Sequence, residues 1–137
     1  MDFQKFLQGQ AFDAYEYFGA HLTETGAVFR VYAPNAAAVE VQGDFSGWEL
    51  MSMRQEHNPG VFEIEVAGAE AGMYYKYAIT GADGRVVYHC DPYGMLMELR
   101  PGFASRIVDR TWKFTDEKWM QKRDLGKNYN NPMNIYE

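Results

Sequence analysis

The sequence predicts an all-β fold in the form of an antiparallel two-sheet sandwich. Apolar and polar residues alternate in six segments, which begin near residues 27, 38, 61, 73, 85 and 105. Alternation with a period of two is typical of a strand that buries one face. The connections between the segments are too short or too polar for the helical crossovers that a parallel sheet requires. An antiparallel sandwich is therefore favoured over a parallel α/β sheet.

The first twenty residues predict a short helical lead-in. Phe3, Phe6 and Leu7 lie at the spacing of one helix face, and Gly19 stands where such a segment would end. The period changes from helical to two at Gly26. We therefore expect one or two short helices before the first strand of the sandwich.

The segment that begins at residue 73 is the most informative of the predicted strands. Tyr75 and Tyr77 share one face of it, so Lys76 between them points to the other face. Asp83 and Gly84 follow this segment and precede the next apolar run. An Asp-Gly pair between two such runs predicts a hairpin turn.

The C-terminal part of the chain predicts a linker rather than another strand of the sandwich. Thr115 can cap a short helix, and Gly126 can end it. Residues 132–137 predict the start of a strand that has no partner, so we expect the chain to be a fragment of a longer protein. Four segments result: a helical segment 1–20, a sandwich module 21–110, a linker 111–131 and a strand start 132–137.

The charge balance limits the classes of partner. Thirteen basic and nineteen acidic residues give a net charge of -6, which argues against nucleic acid and anionic membranes as partners. No apolar run approaches the length of ~20 residues that a membrane span needs, and the first residues do not show the pattern of a secretory leader. A single cysteine fits a reducing compartment. These features predict a cytoplasmic domain.

Aromatic side chains are unusually frequent. They make up 16% of the chain, with ten Tyr, nine Phe and three Trp. A core of this size cannot hide all of these rings, so some of them should face solvent or a partner. Exposed flat rings on an acidic surface favour a neutral ligand that stacks.

Several stretches carry the likeness of a known family. Residues 26–36 contain Ala-Pro-Asn-Ala after a strand, and residues 39–48 end in Gly-Asp-Phe-Ser-Gly-Trp. Both resemble the N-terminal carbohydrate-binding module of glycogen and starch enzymes (family 48), an immunoglobulin-like sandwich. The stretches 91–105, 112–123 and 132–137 are similar to glycogen branching enzymes in particular.

The resemblance implies a parent enzyme that cuts an α-1,4-glucan chain and transfers it to a 6-hydroxyl, which makes an α-1,6 branch. In that family the catalytic carboxylates lie on the strands of a barrel, of which this chain would contain only the first residues. We therefore expect no catalytic residue and no cofactor in this chain. The expected partners are α-1,4-glucans, such as glycogen and maltooligosaccharides, and the barrel of the parent protein.

The resemblance also implies four glucan-binding residues: Trp48, Lys76, Tyr88 and Ser105. Trp48 can stack on the apolar face of a glucose ring, although a tryptophan that packs over the end of the sandwich is an equal alternative. Tyr88 stands where some relatives carry a second tryptophan, and Lys76 and Ser105 stand where relatives bind hydroxyls. A lysine on an exposed strand is, however, more often only solvated.

A second group of residues is expected at a domain interface. In this family the sandwich docks on the barrel, and the linker joins the two. The interface side chains would be Trp112, Phe114, Trp119 and Met120, which would be exposed in the isolated chain.

Other catalytic and metal-binding patterns are not favoured. The three histidines and Cys90 do not have the spacing of a zinc site. Asp44 and Asp91 could be proposed as a glycosidase pair, but Asp44 belongs to a tight turn and Asp91 precedes a proline at the end of a strand.

Three alternatives to a branching-enzyme domain remain open from the sequence. The first is a stand-alone or regulatory glycogen-binding module. The second is the same module from a debranching-type hydrolase. The third is a structural sandwich that binds no ligand, which predicts that Trp48 is buried.

Overall fold

A computed structural model describes residues 1–123, 132 and 134–137. This part of the chain forms two antiparallel sheets, two short α-helices and two 3-10 helices (Ala14–Glu16 and Asp44–Ser46). The predicted all-β, immunoglobulin-like sandwich is confirmed. The α-helices are α1 (Phe3–Leu7) and α2 (Glu117–Lys122). The strands are β1 (Gly19–Leu22), β2 (Gly26–Tyr32), β3 (Ala36–Gly43), β4 (Met51–Ser52), β5 (Arg54–Gln55), β6 (Val61–Ala67), β7 (Tyr74–Gly81), β8 (Val86–His89), β9 (Leu96–Met97) and β10 (Ser105–Arg106).

The two sheets differ in how their strands are ordered. The four-stranded sheet has the order β1-β2-β6-β5. The six-stranded sheet has the order β4-β3-β7-β10-β9, and β8 also pairs with β7. Strand β7 therefore has β3 on one side and both β8 and β10 on the other, which makes it the central strand of the larger sheet.

The core lies between the two sheets, where the alternating apolar faces meet. From the smaller sheet, Phe29 and Val31 are buried, and from the larger sheet Val41, Tyr75 and Tyr77 are buried. The ring of Phe29 meets that of Tyr75 edge to face at 5.0 Å between centroids, a favoured aromatic geometry. The period-two pattern of the sequence thus corresponds to the observed inner faces.

A smaller aromatic cluster joins the N-terminal helix to the sandwich. Phe6 of α1 lies 4.9 Å from Phe18 and 5.1 Å from Tyr32, measured between ring centroids. Asp2 caps the N-terminus of the helix, and its carboxylate accepts hydrogen bonds from the N–H groups of Gln4 and Lys5. Because α1 has only five residues, these aromatic contacts rather than helix propensity hold it in place.

A buried carboxylate connects the larger sheet to the segment that follows β8. Asp91 is 3% exposed, and its Oδ2 accepts hydrogen bonds from the hydroxyls of Tyr75 (2.7 Å) and Tyr77 (3.1 Å). Its Oδ1 accepts from the N–H of Tyr93 (2.8 Å), and its own N–H donates to Ser105 Oγ (2.7 Å). Burial raises the pKa of Asp91, although the tyrosine hydroxyls act in the opposite direction.

The observed elements differ from the predicted ones mainly where strands are short. Strand β1, which begins at Gly19 where the sequence predicted the end of the helical segment, was not predicted, and neither were β4, β5 and β9. The last strand has two residues rather than five. The sequence predicted Thr115 as the cap of α2, but Asp116 takes that place without a side-chain cap hydrogen bond.

Two predictions at the C-terminus concern residues outside the described part of the chain. Gly126 and Met133, which were expected to end a helix and to lie in a strand start, are not among the described residues, and residues 134–137 are described without a strand. None of the described helices has the length and apolar character that a transmembrane helix requires.

The buried tyrosine hydroxyls should contribute measurably to stability. We expect Tyr75→Phe to lower the free energy of unfolding by about 1–3 kcal/mol, because it removes a hydrogen bond from a buried carboxylate. Tyr88→Phe is the matched control, since Tyr88 is 46% exposed and its hydroxyl faces no buried acid. Urea unfolding at neutral pH measures both variants. Equal stabilities of the two variants would contradict the assigned role of the Tyr75 hydroxyl.

The pH dependence of stability should reflect the pKa of Asp91. The pKa of Asp91 is raised in the folded state. At a pH between its unfolded and its folded pKa, the folded chain therefore binds more protons than the unfolded chain. The contribution of Asp91 to the free energy of unfolding then falls as the pH rises through that window. We therefore subtract the free energy of unfolding of Asp91→Asn from that of the wild type and expect this difference to increase as the pH is lowered from about 7 to about 4. An opposite trend in urea unfolding would mean that the folded state lowers this pKa.

Candidate functional site

A tight turn after β3 presents Trp48 to solvent. The N–H of Trp48 donates to the carbonyl of Gly43 at 2.9 Å, and the hydroxyl of Ser46 donates to the carbonyl of Glu49 at 2.7 Å. Trp48 has a φ of 66°, a left-handed conformation that is rare for a bulky residue. The side chain is 40% exposed. The purely structural alternative predicted a buried Trp48, so its exposure argues against that alternative.

Asp44 fixes the edge of the indole against the larger sheet. Its Oδ1 accepts from the indole N–H of Trp48 at 3.0 Å, and its Oδ2 accepts from the backbone N–H of Tyr74 at 2.8 Å. The backbone of Gly43 passes so close that a Cβ there would collide with the carbonyl oxygen of Tyr74 and contact the ring of Phe45. A glycine at position 43 thus permits the approach that brings Asp44 to the first residue of β7.

Lys76 lies beside Trp48 on the outer face of the larger sheet, as the alternation in β7 predicted. Its Nζ is 5.8 Å from the centroid of the Trp48 ring and 3.5 Å from the centroid of the Phe103 ring. Both distances are within the range of cation–π attraction. Among the described residues, no carboxylate lies within ion-pair distance of Lys76. Its N–H groups can therefore donate to a ligand without breaking an ion pair with any residue that the structure describes.

Tyr88 lies on the same outer face. It stands opposite Ala78 in the pairing of β7 with β8, and Ala78 follows Lys76 by two residues, so the three side chains share one side of the sheet. Tyr88 is 46% exposed. The structure thus brings Trp48 and Lys76 into direct proximity and places Tyr88 farther along the same face.

Ser105 is separated from the other three predicted site residues and has to be removed from the candidate site. It pairs with Tyr75, whose side chain points into the core, and it has no exposed surface. Its hydroxyl accepts the N–H of Asp91 at 2.7 Å. The physical reason for the difference is the register of β10 on β7, which directs Ser105 inward and supports the buried carboxylate.

Phe103 belongs to this surface and was not predicted from the sequence. It lies just before β10 and is 48% exposed. Its relation to Lys76 depends on the pairing of β10 with β7, which joins residues about thirty positions apart. The sequence did contain a signal that Phe103 could be exposed. It follows the turn-forming pair Pro101-Gly102 and belongs to none of the predicted strands with alternating apolar residues.

The candidates that were rejected for catalysis and metal binding take structural positions. Asp44 is engaged by the Trp48 indole and by Tyr74, whereas Asp91 is buried among Tyr75 and Tyr77. In the described part of the chain, no group of three or more metal-ligating side chains could hold a metal ion.

The side chains that were expected at a domain interface are exposed. Trp112 is 77% exposed, Phe114 75%, Trp119 58% and Met120 48%. They follow the last strand of the sandwich and occupy α2 and the segment before it.

Comparisons with known proteins agree with this architecture. The model of a family described as carbohydrate-binding module 48 (isoamylase N-terminal domain) matches residues 17–94. The fold resembles that of part of a pullulanase from Bacillus acidopullulyticus, with a TM-score of 0.59 and 25% identity over 67% of this chain and 12% of that chain. A maltotriose complex of PulA from Klebsiella pneumoniae gives a TM-score of 0.57 and 26% identity, over 72% of this chain and 12% of that chain.

Curated relatives show higher sequence identity. The chain is 38% identical over 136 residues to the 1,4-alpha-glucan branching enzyme GlgB of Fusobacterium nucleatum, which is 96% of this chain and 22% of the relative. It is 41% identical over 140 residues to the protein of the same name from Butyrivibrio fibrisolvens, with the same shares of each chain. The chain thus spans about a fifth of the length of these relatives. Because the family model covers more than half of the chain, the chain belongs to the carbohydrate-binding module 48 family.

Proposed function

We propose that this chain is the carbohydrate-binding domain of a 1,4-α-glucan branching enzyme and that it holds α-1,4-glucans, such as glycogen and maltooligosaccharides. The site is the outer face of the larger sheet, with Trp48, Lys76 and Tyr88. The observation that carries the proposal is the exposed indole of Trp48, which Asp44 holds at its edge. Beside it lies the ammonium of Lys76, which has no carboxylate partner among the described residues.

The chemistry of the three side chains suits a neutral sugar. A glucose ring has an apolar C–H face that can stack on an indole or a phenol ring, and it has hydroxyls around its edge that accept hydrogen bonds. Lys76 can donate to these hydroxyls without losing a carboxylate partner among the described residues. A chain with a net charge of -6 would repel most anions, but it would not repel an uncharged glucan.

The proposed parent activity rests on the curated relatives. The 1,4-alpha-glucan branching enzymes match 96% of this chain at 38% and 41% identity. In such a parent, cleavage of an α-1,4 linkage and transfer to a 6-hydroxyl would depend on carboxylates outside this chain. A debranching-type parent is the second candidate, because several of the similar solved structures are pullulanases. These structures share only 25% and 26% identity with this chain, so they support a debranching-type parent less strongly than the relatives at 38% and 41% identity support a branching enzyme.

The segments of the chain fit a domain that is attached to a larger protein. In this proposal residues 1–20 brace the sandwich of residues 21–110, residues 111–131 form the linker, and residues 132–137 enter the catalytic barrel. The exposed apolar side chains Trp112, Phe114, Trp119 and Met120 would contact that barrel. Large apolar side chains grouped on one segment are typical of an interaction surface.

Replacement of Trp48 should weaken sugar binding without unfolding the domain. We expect Trp48→Ala to reduce the affinity for maltoheptaose by about five-fold or more, because one stacking ring contributes on the order of 1 kcal/mol. Trp112→Ala is the matched control, since Trp112 is exposed but belongs to the linker. Titration followed by the ¹H–¹⁵N spectrum, including the indole N–H signals, measures both variants. Loss of affinity in the control alone would contradict the proposed site.

The linker aromatics should be protected in a longer protein. We expect acrylamide to quench the fluorescence of Trp112 and Trp119 efficiently in this chain, and much less in a protein that also contains the following catalytic domain. The physical reason is that docking would bury their exposed surface. Variants that retain one tryptophan at a time assign the signal. Equal quenching in the short and the long protein would exclude these residues from the interface.

A further inference from the structure

We propose that Phe103 is a second stacking wall of the carbohydrate site, close to Trp48, with the ammonium of Lys76 near both rings. The two rings and this lysine are called the aromatic trough below. This inference rests on the proposed function. It adds to that function a preference for ligands of a certain length. The trough would hold at least two consecutive glucose units, so it would favour oligosaccharides over glucose.

The first argument is the position of the Lys76 ammonium. It lies 3.5 Å from the ring centroid of Phe103 and 5.8 Å from that of Trp48, so the two centroids are within about 9 Å of each other and share one cation. Phe103 and Trp48 are 48% and 40% exposed, respectively. The ammonium lies over part of each ring, so a ligand would stack on the surface of the two rings that remains exposed.

The second argument is that the turn before β10 is built to hold Phe103. The N–H of Glu98 donates to the carbonyl of Ala104 at 2.8 Å, and the N–H of Ala104 donates to Glu98 Oε2 at 3.1 Å. A Cβ at Gly102 would collide with the carboxylate of Glu98, so this side chain lies directly against the backbone before Phe103. Glu98 is thus a positioning residue for Phe103.

The third argument is the contrast with Leu99 in the same turn. Leu99 is 89% exposed and has no ring to stack on a sugar. Phe103 is held beside a cation that has no carboxylate partner among the described residues. Exposure alone does not separate these two apolar residues, but the fixed relation to Lys76 and Trp48 does.

The test is a titration of the 137-residue chain and its variants with glucose, maltose and maltoheptaose, followed by the indole and backbone N–H signals. We expect Phe103→Ala to bind maltoheptaose about three- to ten-fold more weakly. Phe103→Leu keeps apolar bulk but no aromatic face and should behave similarly, whereas Phe103→Tyr should retain the affinity. Leu99→Ala is the control and should bind like the wild type.

The positioning role of Glu98 has its own comparison. Glu98→Ala should weaken maltoheptaose binding, and Glu98→Gln should restore it, because the amide oxygen of Gln can still accept the N–H of Ala104. Thermal unfolding of each variant identifies any that has lost the fold, and binding is compared only among the folded ones.

The outcomes separate this inference from the function on which it rests. If the wild type does not bind maltoheptaose, the proposed function is wrong and the trough is wrong with it. If the wild type binds but Phe103→Leu binds equally well, only the trough is overturned. Equal affinities of the wild type for glucose and for maltoheptaose would also overturn it, because a trough with two walls requires a ligand that reaches both.

Discussion

The pairing of β7 with β3 in one register determines both surfaces of the larger sheet. Val41 stands opposite Tyr77, and Gly43 stands opposite Tyr75. The two tyrosines therefore enter the core, and Lys76 between them must point outward. A slip of one residue would turn both tyrosines to solvent and bring the lysine into the core. The core and the candidate site thus depend on the same set of backbone hydrogen bonds.

Two aspartates oppose such a slip from opposite sides of the sheet. Asp91 is buried and accepts the hydroxyls of Tyr75 and Tyr77, and Asp44 accepts the N–H of Tyr74 on the outer side. A buried carboxylate is costly unless its oxygens are hydrogen-bonded. A slipped register would leave the buried carboxylate of Asp91 without the two tyrosine hydroxyls. Incorrect pairings of β7 with β3 would therefore be destabilised by an unsatisfied buried carboxylate. The hydrogen bonds of Asp91 thus favour the observed register over a slipped one.

The sequence predicted what depends on local pattern and missed what depends on distant pairing. Strands β2, β3, β6, β7 and β8 were found because each is long enough to show alternation or follows a recognisable turn. Strands β4, β5 and β9 have two residues each, which is too short for any period. Ser105 was expected at the site by resemblance, but its place opposite Tyr75 directs it inward. Phe103 was missed for the same reason, since only the pairing of β10 with β7 brings it to Lys76.

The conformation of Trp48 bears on how the proposed site would hold a flexible glucan. A left-handed backbone at a tryptophan, with φ of 66°, costs on the order of 1 kcal/mol or more, and the hydrogen bonds of the turn sustain it. This conformation allows Asp44 to accept the N–H at the edge of the indole, while part of the face of the indole remains exposed to solvent. A ring that is already ordered loses little conformational entropy when a ligand arrives, so more of the stacking energy is available for binding. In the proposed site, rigidity of the rings replaces the enclosure that a deep pocket would provide.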